Sequence, residues 1–222
     1  MVLSTLSCNK DNSSGGRIPK PKAIDMGMEL TRKDGTKYKL KWADCNLGAS
    51  KEYQAGNYYA WGETEPKGFY SWENYKWCTG LEEDDFRFTK YMQSSGSVIL
   101  ETGPKGDDVA SRKLGGKWRM PTKEEWEELS THYTWTQVER NGVAGCVVKA
   151  KNGNSIFLPI AGYFFYSLTE NGSWGYYWSS SLGTGDPEWA WRLDFGEGDG
   201  DVGLDLCSRC AGQSVPSGRN KK

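Results

Sequence analysis

The sequence predicts an α+β domain of small antiparallel sheets, two helices and long ordered loops. Three observations carry this. Asn141-Gly142 and Asn152-Gly153 are two-residue hairpin signals separating the strand-like segments 134–140, 143–150 and 155–160. Thr122 and Glu125 form a capping box ahead of Trp126 and Leu129, which share a helical face. Glycine, at 28 of 222 residues, is nearly twice its usual ~7%, and no strand–helix–strand alternation suggests a parallel sheet.

Along the chain, residues 36–42 alternate so that Tyr38, Leu40 and Trp42 fall on one face of a half-buried strand. Residues 56–62 form a second, aromatic segment. Residues 63–105 read as irregular loops with one short helix, and a further short helix is expected at 107–114, before the capped one. After the meander, residues 176–181, 190–195 and 202–206 read as its continuation, joined by Gly-rich turns.

Composition narrows the function classes. The 28 basic and 29 acidic residues leave a net charge of −1, too little for the phosphate attraction that most nucleic-acid binders use. No run of 18 apolar residues is present to span a bilayer. The 11 tryptophans in a chain of mean hydropathy −0.73 raise the question of whether some serve a surface site.

The first residues, with Cys8 after small and apolar side chains and Asn12-Ser13-Ser14-Gly15-Gly16 beyond it, look like the end of a bacterial lipoprotein signal. On that reading Cys8 is the acylation site, residues 1–22 are a leader remnant and tether, 23–216 the domain, and 217–222 a disordered tail. The membrane is then met only through the lipid, at the outer membrane and cell surface. Cys45 and Cys78 are candidates for a disulfide in an exported protein; the spacing leaves the connectivity open.

The hardware of several enzyme classes is missing. The single histidine, His132, lies at a helix end with no Ser or Cys motif beside it, and no phosphate-loop, dinucleotide-fold or zinc-protease motif occurs. Residues 196–206 have the glycines and carboxylates of a calcium loop but not its spacing. Cys207 and Cys210 form a lone C-x-x-C, two ligands out of four. No cofactor and no metal are expected.

Several motifs in order carry a resemblance: Ala43-Asp44-Cys45-Asn46-Leu47-Gly48, Tyr59-Ala60-Trp61-Gly62-Glu63, Tyr75-Lys76-Trp77-Cys78, Gly116-Lys117-Trp118-Arg119-Met120-Pro121-Thr122, Phe157-Leu158-Pro159, Ala161-Gly162-Tyr163, Tyr177-Trp178-Ser179-Ser180-Ser181 and Gly212-Gln213-Ser214-Val215. Over roughly residues 24–216 the chain resembles the major-paralogous-domain lipoproteins of gut bacteria. These are similar to the C-type-lectin-fold variable proteins of diversity-generating retroelements and, more distantly, to formylglycine-generating enzymes. The resemblance implies a C-type lectin fold. It departs at the end, where the family's Ser-Val-Arg-Pro-Val is replaced by Ser214-Val215-Pro216-Ser217-Gly218.

The resemblance also implies that residues in the last strands can vary. Arg192, Asp194, Gly196, Asp199, Asp201, Gly203, Asp205, Leu206, Cys207, Ser208, Cys210 and Ala211 are of the types that adenine-randomised codons encode, while Ala190, Trp191, Leu193, Phe195, Val202 and Leu204 keep an apolar frame. In strands such alternation lets one face change without touching the core. Glu188 and Trp189 join these residues, with Trp189 as the aromatic anchor. Seven acidic residues between 186 and 205 face Arg192 alone, which favours a basic partner.

The expected function is therefore a surface lipoprotein that binds a ligand, most simply a protein, through this face and performs no chemistry. Two alternatives stand beside it: a copper-dependent oxidase of the formylglycine-generating type using Cys207 and Cys210, and a carbohydrate-binding lectin. Trp42, Trp61, Trp77, Trp118, Trp126 and Trp178 are expected to be framework.

Overall fold

The computed structural model describes residues 18–80, 87–92, 98–196 and 202–220. Cys8, Asp199 and Asp201 lie outside them. The first strands are β1 (Ala23–Thr31), β2 (Lys37–Ala43), β3 (Tyr58–Tyr59), β4 (Cys78–Thr79), β5 (Arg87–Phe88) and β6 (Trp118–Arg119). Helix α1 (Val109–Leu114) precedes β6 and α2 (Lys123–His132) follows it. Then come β7 (Thr134–Arg140), β8 (Val143–Lys149), β9 (Ser155–Pro159), β10 (Tyr163–Phe165) and β11 (Ser167–Thr169). The chain closes with β12 (Trp174–Leu182), β13 (Trp189–Gly196), β14 (Val202–Ser208), β15 (Gln213–Ser214) and β16 (Gly218–Asn220).

The architecture is α+β and the pairing almost wholly antiparallel. A five-stranded sheet has the order β14-β13-β12-β15-β3, a four-stranded sheet β1-β2-β16-β6, and β7-β8-β9 form the meander that the Asn-Gly turns specify. Asn141 and Gly142 both take positive φ, 52° and 76°, as a hairpin turn matched to strand twist requires.

Both helices start where their caps place them. Thr122 Oγ1 accepts from the Glu125 N–H at 3.4 Å and the Glu125 carboxylate accepts from the Thr122 N–H at 2.9 Å. The same carboxylate is fully buried and takes a two-pronged ion pair from Arg119, at 2.7 and 2.5 Å. Helix α1 is capped by Asp108, which accepts from the Ser111 N–H and, with its other oxygen, from the Met120 N–H, both at 2.8 Å. Burial pushes the Asp108 carboxyl up to about 6.

The tryptophans fill the space between the sheets. Trp42, Trp61, Trp126 and Trp178 are closed to solvent. Trp42 and Trp126 meet with ring centroids 4.7 Å apart. Trp61 donates to the Ser179 carbonyl and Trp178 to the Tyr59 carbonyl, at 2.9 and 2.8 Å, so these two rings are buried with their N–H groups satisfied, whereas the buried Trp42 N–H has no partner among the described residues.

Four expectations need correction. Residues 176–181, 190–195 and 202–206 do not continue the meander; they form β12–β14 of a separate sheet. Strand β12 is buried along all but its first residue, which suits the middle of a sheet covered on both faces, not an extension of a half-exposed one. The segment expected as a disordered tail contains β16, which pairs with both β2 and β6. There Arg219 lies over the Trp118 ring at 5.8 Å and Asn220 accepts from Arg119 at 2.9 Å. Cys45 and Cys78 are both free thiols. Trp191, placed in the apolar frame, is half-exposed, with the Lys123 ammonium 3.8 Å over its ring.

Candidate ligand-binding face

Strand β13 pairs in unbroken register with β14, so Arg192 lies opposite Asp205 and Asp194 opposite Gly203, while Leu193 lies opposite Leu204 and Phe195 opposite Val202. Leu193 and Phe195 are buried. On the other side β12 places Tyr176 opposite Asp194 and Trp174 opposite Gly196. One face of the sheet is thus core, and the other carries Tyr176, Arg192, Asp194, Gly203 and Asp205.

Arg192 is held in place on that face. Its guanidinium sits 4.2 Å over the Tyr176 ring, with Asp194 at 3.4 Å and Asp205 at 3.5 Å. Two carboxylates against one guanidinium leave an excess of negative charge. Burial, joined by the Asp205 charge, pushes the Asp194 carboxyl up in spite of Arg192. Tyr176 donates its hydroxyl hydrogen to Glu170, which adds a further carboxylate at the edge.

Above the same face lies a pocket of about 260 Å³. Tyr163 and Phe165 of β10 line it together with Trp189 and Leu206. Cys207, Ser208, Ala211 and Arg192 complete the lining. Reciprocal backbone hydrogen bonds between Phe164 and Gly212, at 2.8 and 2.9 Å, hold β10 against the turn at 208–211. Trp189 is tied down by its indole N–H, which donates to Asp186 at 3.1 Å.

Behind the turn is a buried arginine. Arg209 is closed to solvent. It donates to the Tyr75 hydroxyl at 2.9 Å and to the carbonyls of Pro187 at 2.8 Å, Lys90 at 3.1 Å and Tyr91 at 3.2 Å. Its guanidinium lies 4.8 Å from the Phe88 ring centre and 4.9 Å from that of Trp61. Among the described residues no carboxylate pairs with it; carbonyl dipoles and ring faces carry the charge instead. The turn and the loops at 87–91 and 186–188 are thereby fastened to one point.

The nominated residues therefore separate into groups. Trp189, Arg192, Leu206, Cys207, Ser208 and Ala211 meet at the pocket. Asp194, Gly203 and Asp205 lie beside it on the sheet. Glu188 is half-buried in the loop before β13, and its carbonyl accepts from the Arg209 N–H at 3.0 Å. Gly196 is not presented to a ligand, because the Trp174 indole lies on it: a Cβ there would sit 2.9 Å from the ring. Cys210 is fully buried with Ala60, Tyr70, Tyr75 and Phe88, so it is not part of a surface either.

Burial pushes both the Cys207 and Cys210 thiols up. Copper on this pair would have to displace two protons from packed sulfurs. The Gln213 amide is closed to solvent, and among the described residues the Cys207 thiol is the polar group it meets, with no well-formed hydrogen bond to nitrogen or oxygen. His132 is exposed at the end of α2, 3.2 Å from Glu128. Sequence reasoning missed the β10 wall and Trp174; the run Tyr163-Phe164-Phe165-Tyr166, ahead of a glycine-bounded turn, was the available signal.

The chain matches no protein-family model, no curated protein and no solved structure. Among the described residues no helix is long and apolar enough to cross a membrane.

Proposed function

We propose that the protein binds a protein ligand through the outer face of β13 and β14 and the pocket beside it, without catalysing a reaction. The observation that carries this reading is the division of labour within the two strands. Leu193 and Phe195 are buried, whereas Arg192, Asp194 and Asp205 spend their side chains on one another and on Tyr176. The outer residues can change chemically while the frame stays fixed, which is how loops on a rigid sandwich serve recognition.

We further infer that the domain is a variant of the C-type lectin fold, supported by its two helices, small antiparallel sheets and long ordered loops. In this proposal Cys8 carries a lipid that displays the domain at the bacterial outer membrane, and the last strands belong to a variable segment. Both inferences come from the sequence.

The test is an interaction screen of the full chain against the same chain carrying Trp189→Ala, Arg192→Ala and Asp194→Ala. A control with Thr136→Ala and Glu139→Ala, two exposed positions of β7, accompanies it. With folding verified by circular dichroism, the triple variant should lose partners that the control keeps. An unchanged partner profile overturns the assignment of the face. For display, Cys8→Ser should move the protein from the membrane fraction to the soluble fraction.

A further inference from the structure

Resting on the protein-binding reading above, we infer that the pocket between β10 and the turn at 208–211 is a subsite for a basic side chain, lysine or arginine, of the protein ligand. Shape and charge both point there. The lining includes the rings of Tyr163, Phe165 and Trp189, together with Cys207 and Ala211. A lysine or arginine inserts an apolar stem along such walls while its charged head stays near the mouth. Aromatic faces attract that head within about 6 Å of their centres.

The rim supplies the matching charge. Arg192 is the one cation among the lining residues, and it is already engaged by Asp194, Asp205 and the Tyr176 ring. Asp186 accepts from the Trp189 indole N–H, and Glu170 accepts from Tyr176. Two carboxylates thus contact the Arg192 guanidinium and two more hold neighbouring rings, four acidic groups against Arg192 and the buried Arg209 behind the turn. An entering carboxylate meets net repulsion, and an apolar side chain gains nothing from the rim. A cation gains from both rim and walls.

Four peptides of the form acetyl-Gly-X-Gly-amide, with X as Lys, Arg, norleucine or Glu, provide the probes. Each is titrated into the full-length protein and followed by 1H–15N spectra at the Trp189 indole and the Cys207 and Ser208 amides. The Lys and Arg peptides should shift these signals saturably in the millimolar range, and the other two should not. Asp194→Asn with Asp205→Asn should weaken binding about five-fold, within the range of two weak ion pairs, and Trp189→Ala should also weaken it. Norleucine binding as well as lysine, glutamate binding at all, or no localised shift up to 20 mM overturns the subsite. A partner from the screen above separates this failure from that of the parent reading. If the face variant abolishes its binding but replacing the partner's interface lysines and arginines with glutamine does not, the face stands and the basic subsite falls.

Discussion

Replacing Arg209 with methionine removes a side chain of similar length and every hydrogen bond that it donates. The Tyr75 hydroxyl is left without its donor, and the carbonyls of Pro187, Lys90 and Tyr91 lose theirs. An orphaned buried acceptor costs roughly 1–3 kcal/mol, so the three carbonyls alone set a loss of at least about 3 kcal/mol. Working against this, methionine no longer holds a desolvated charge; burial already draws the Arg209 guanidinium below its ordinary value. The net expectation is a loss of roughly 3–4 kcal/mol, which for a chain of this size lowers the melting temperature by about 6–16 °C. Equilibrium urea unfolding followed by tryptophan fluorescence measures the first quantity and calorimetry the second. Hydrogen exchange adds a local readout, since the amides of Trp189 and Ala211 should lose protection before those of the meander strand β8. A methionine variant within 1 kcal/mol of the parent, with those amides unchanged, would refute the argument that carbonyls and rings hold this charge and fasten the loops behind the pocket.

Three other outcomes follow from particular side chains. Gln213→Met replaces a buried amide that, among the described residues, meets only the Cys207 thiol with an apolar group of similar shape; urea unfolding should show a gain of about 1 kcal/mol, and a loss of that size would mean that the thiol contact satisfies the amide. Gly196→Val places methyl groups where the Trp174 ring lies, so the Trp174 indole signal should move towards its solvent-exposed position, and an unmoved signal contradicts the packing. For Asp108, the folded-state value of about 6 lies above the ordinary carboxylate value of 3.8, so the folded state holds the proton more tightly. Its contribution is complete at low pH and is lost as pH rises through about 6. The stability difference between the parent and Asp108→Asn should therefore shrink by roughly 2 kcal/mol from pH 4 to pH 7, and a pH-independent difference refutes it.

Local features were legible wherever a short segment determines its own conformation. The Thr122–Glu125 capping box, the Asn141-Gly142 hairpin and the alternation of 36–42 all rest on neighbours within a few residues. What lay beyond them required pairing across the chain. Glu125 reads as a cap, yet nothing local announces that Arg119 will meet the same carboxylate. The sheet containing β12 looked like more meander because strand signals specify a face and a period, not a partner. At the site, the alternation of β13 was visible, as was the acidity of its surroundings. The pocket was not, because Tyr163 and Phe165 reach it from more than twenty residues upstream. Arg209 drew no role in the sequence beyond its place between Cys207 and Cys210; the carbonyls that hold it converge from two distant loops.

The same geometry limits which positions of the last strands can vary. Asp205 is exposed, and Arg192 and Asp194 interact chiefly with one another and with ring faces, so substitution there changes recognition and leaves Leu193 and Phe195 undisturbed. Gly196 differs, because any Cβ displaces Trp174. Cys210 and Ala211 differ too, since both are closed to solvent and flank the turn that Arg209 fastens. A larger side chain at either would press into a packed cluster, a change that commonly costs about 1–3 kcal/mol. A deep substitution scan of residues 188–211, read once for folded display and once for partner binding, should therefore divide the nominated positions. Positions 192, 194 and 205 should tolerate most residues for display, whereas 196, 210 and 211 should accept only small ones. If all six proved equally tolerant, the separation of a changeable outer face from a fixed interior within one segment would be lost, and with it the structural argument for recognition at this face.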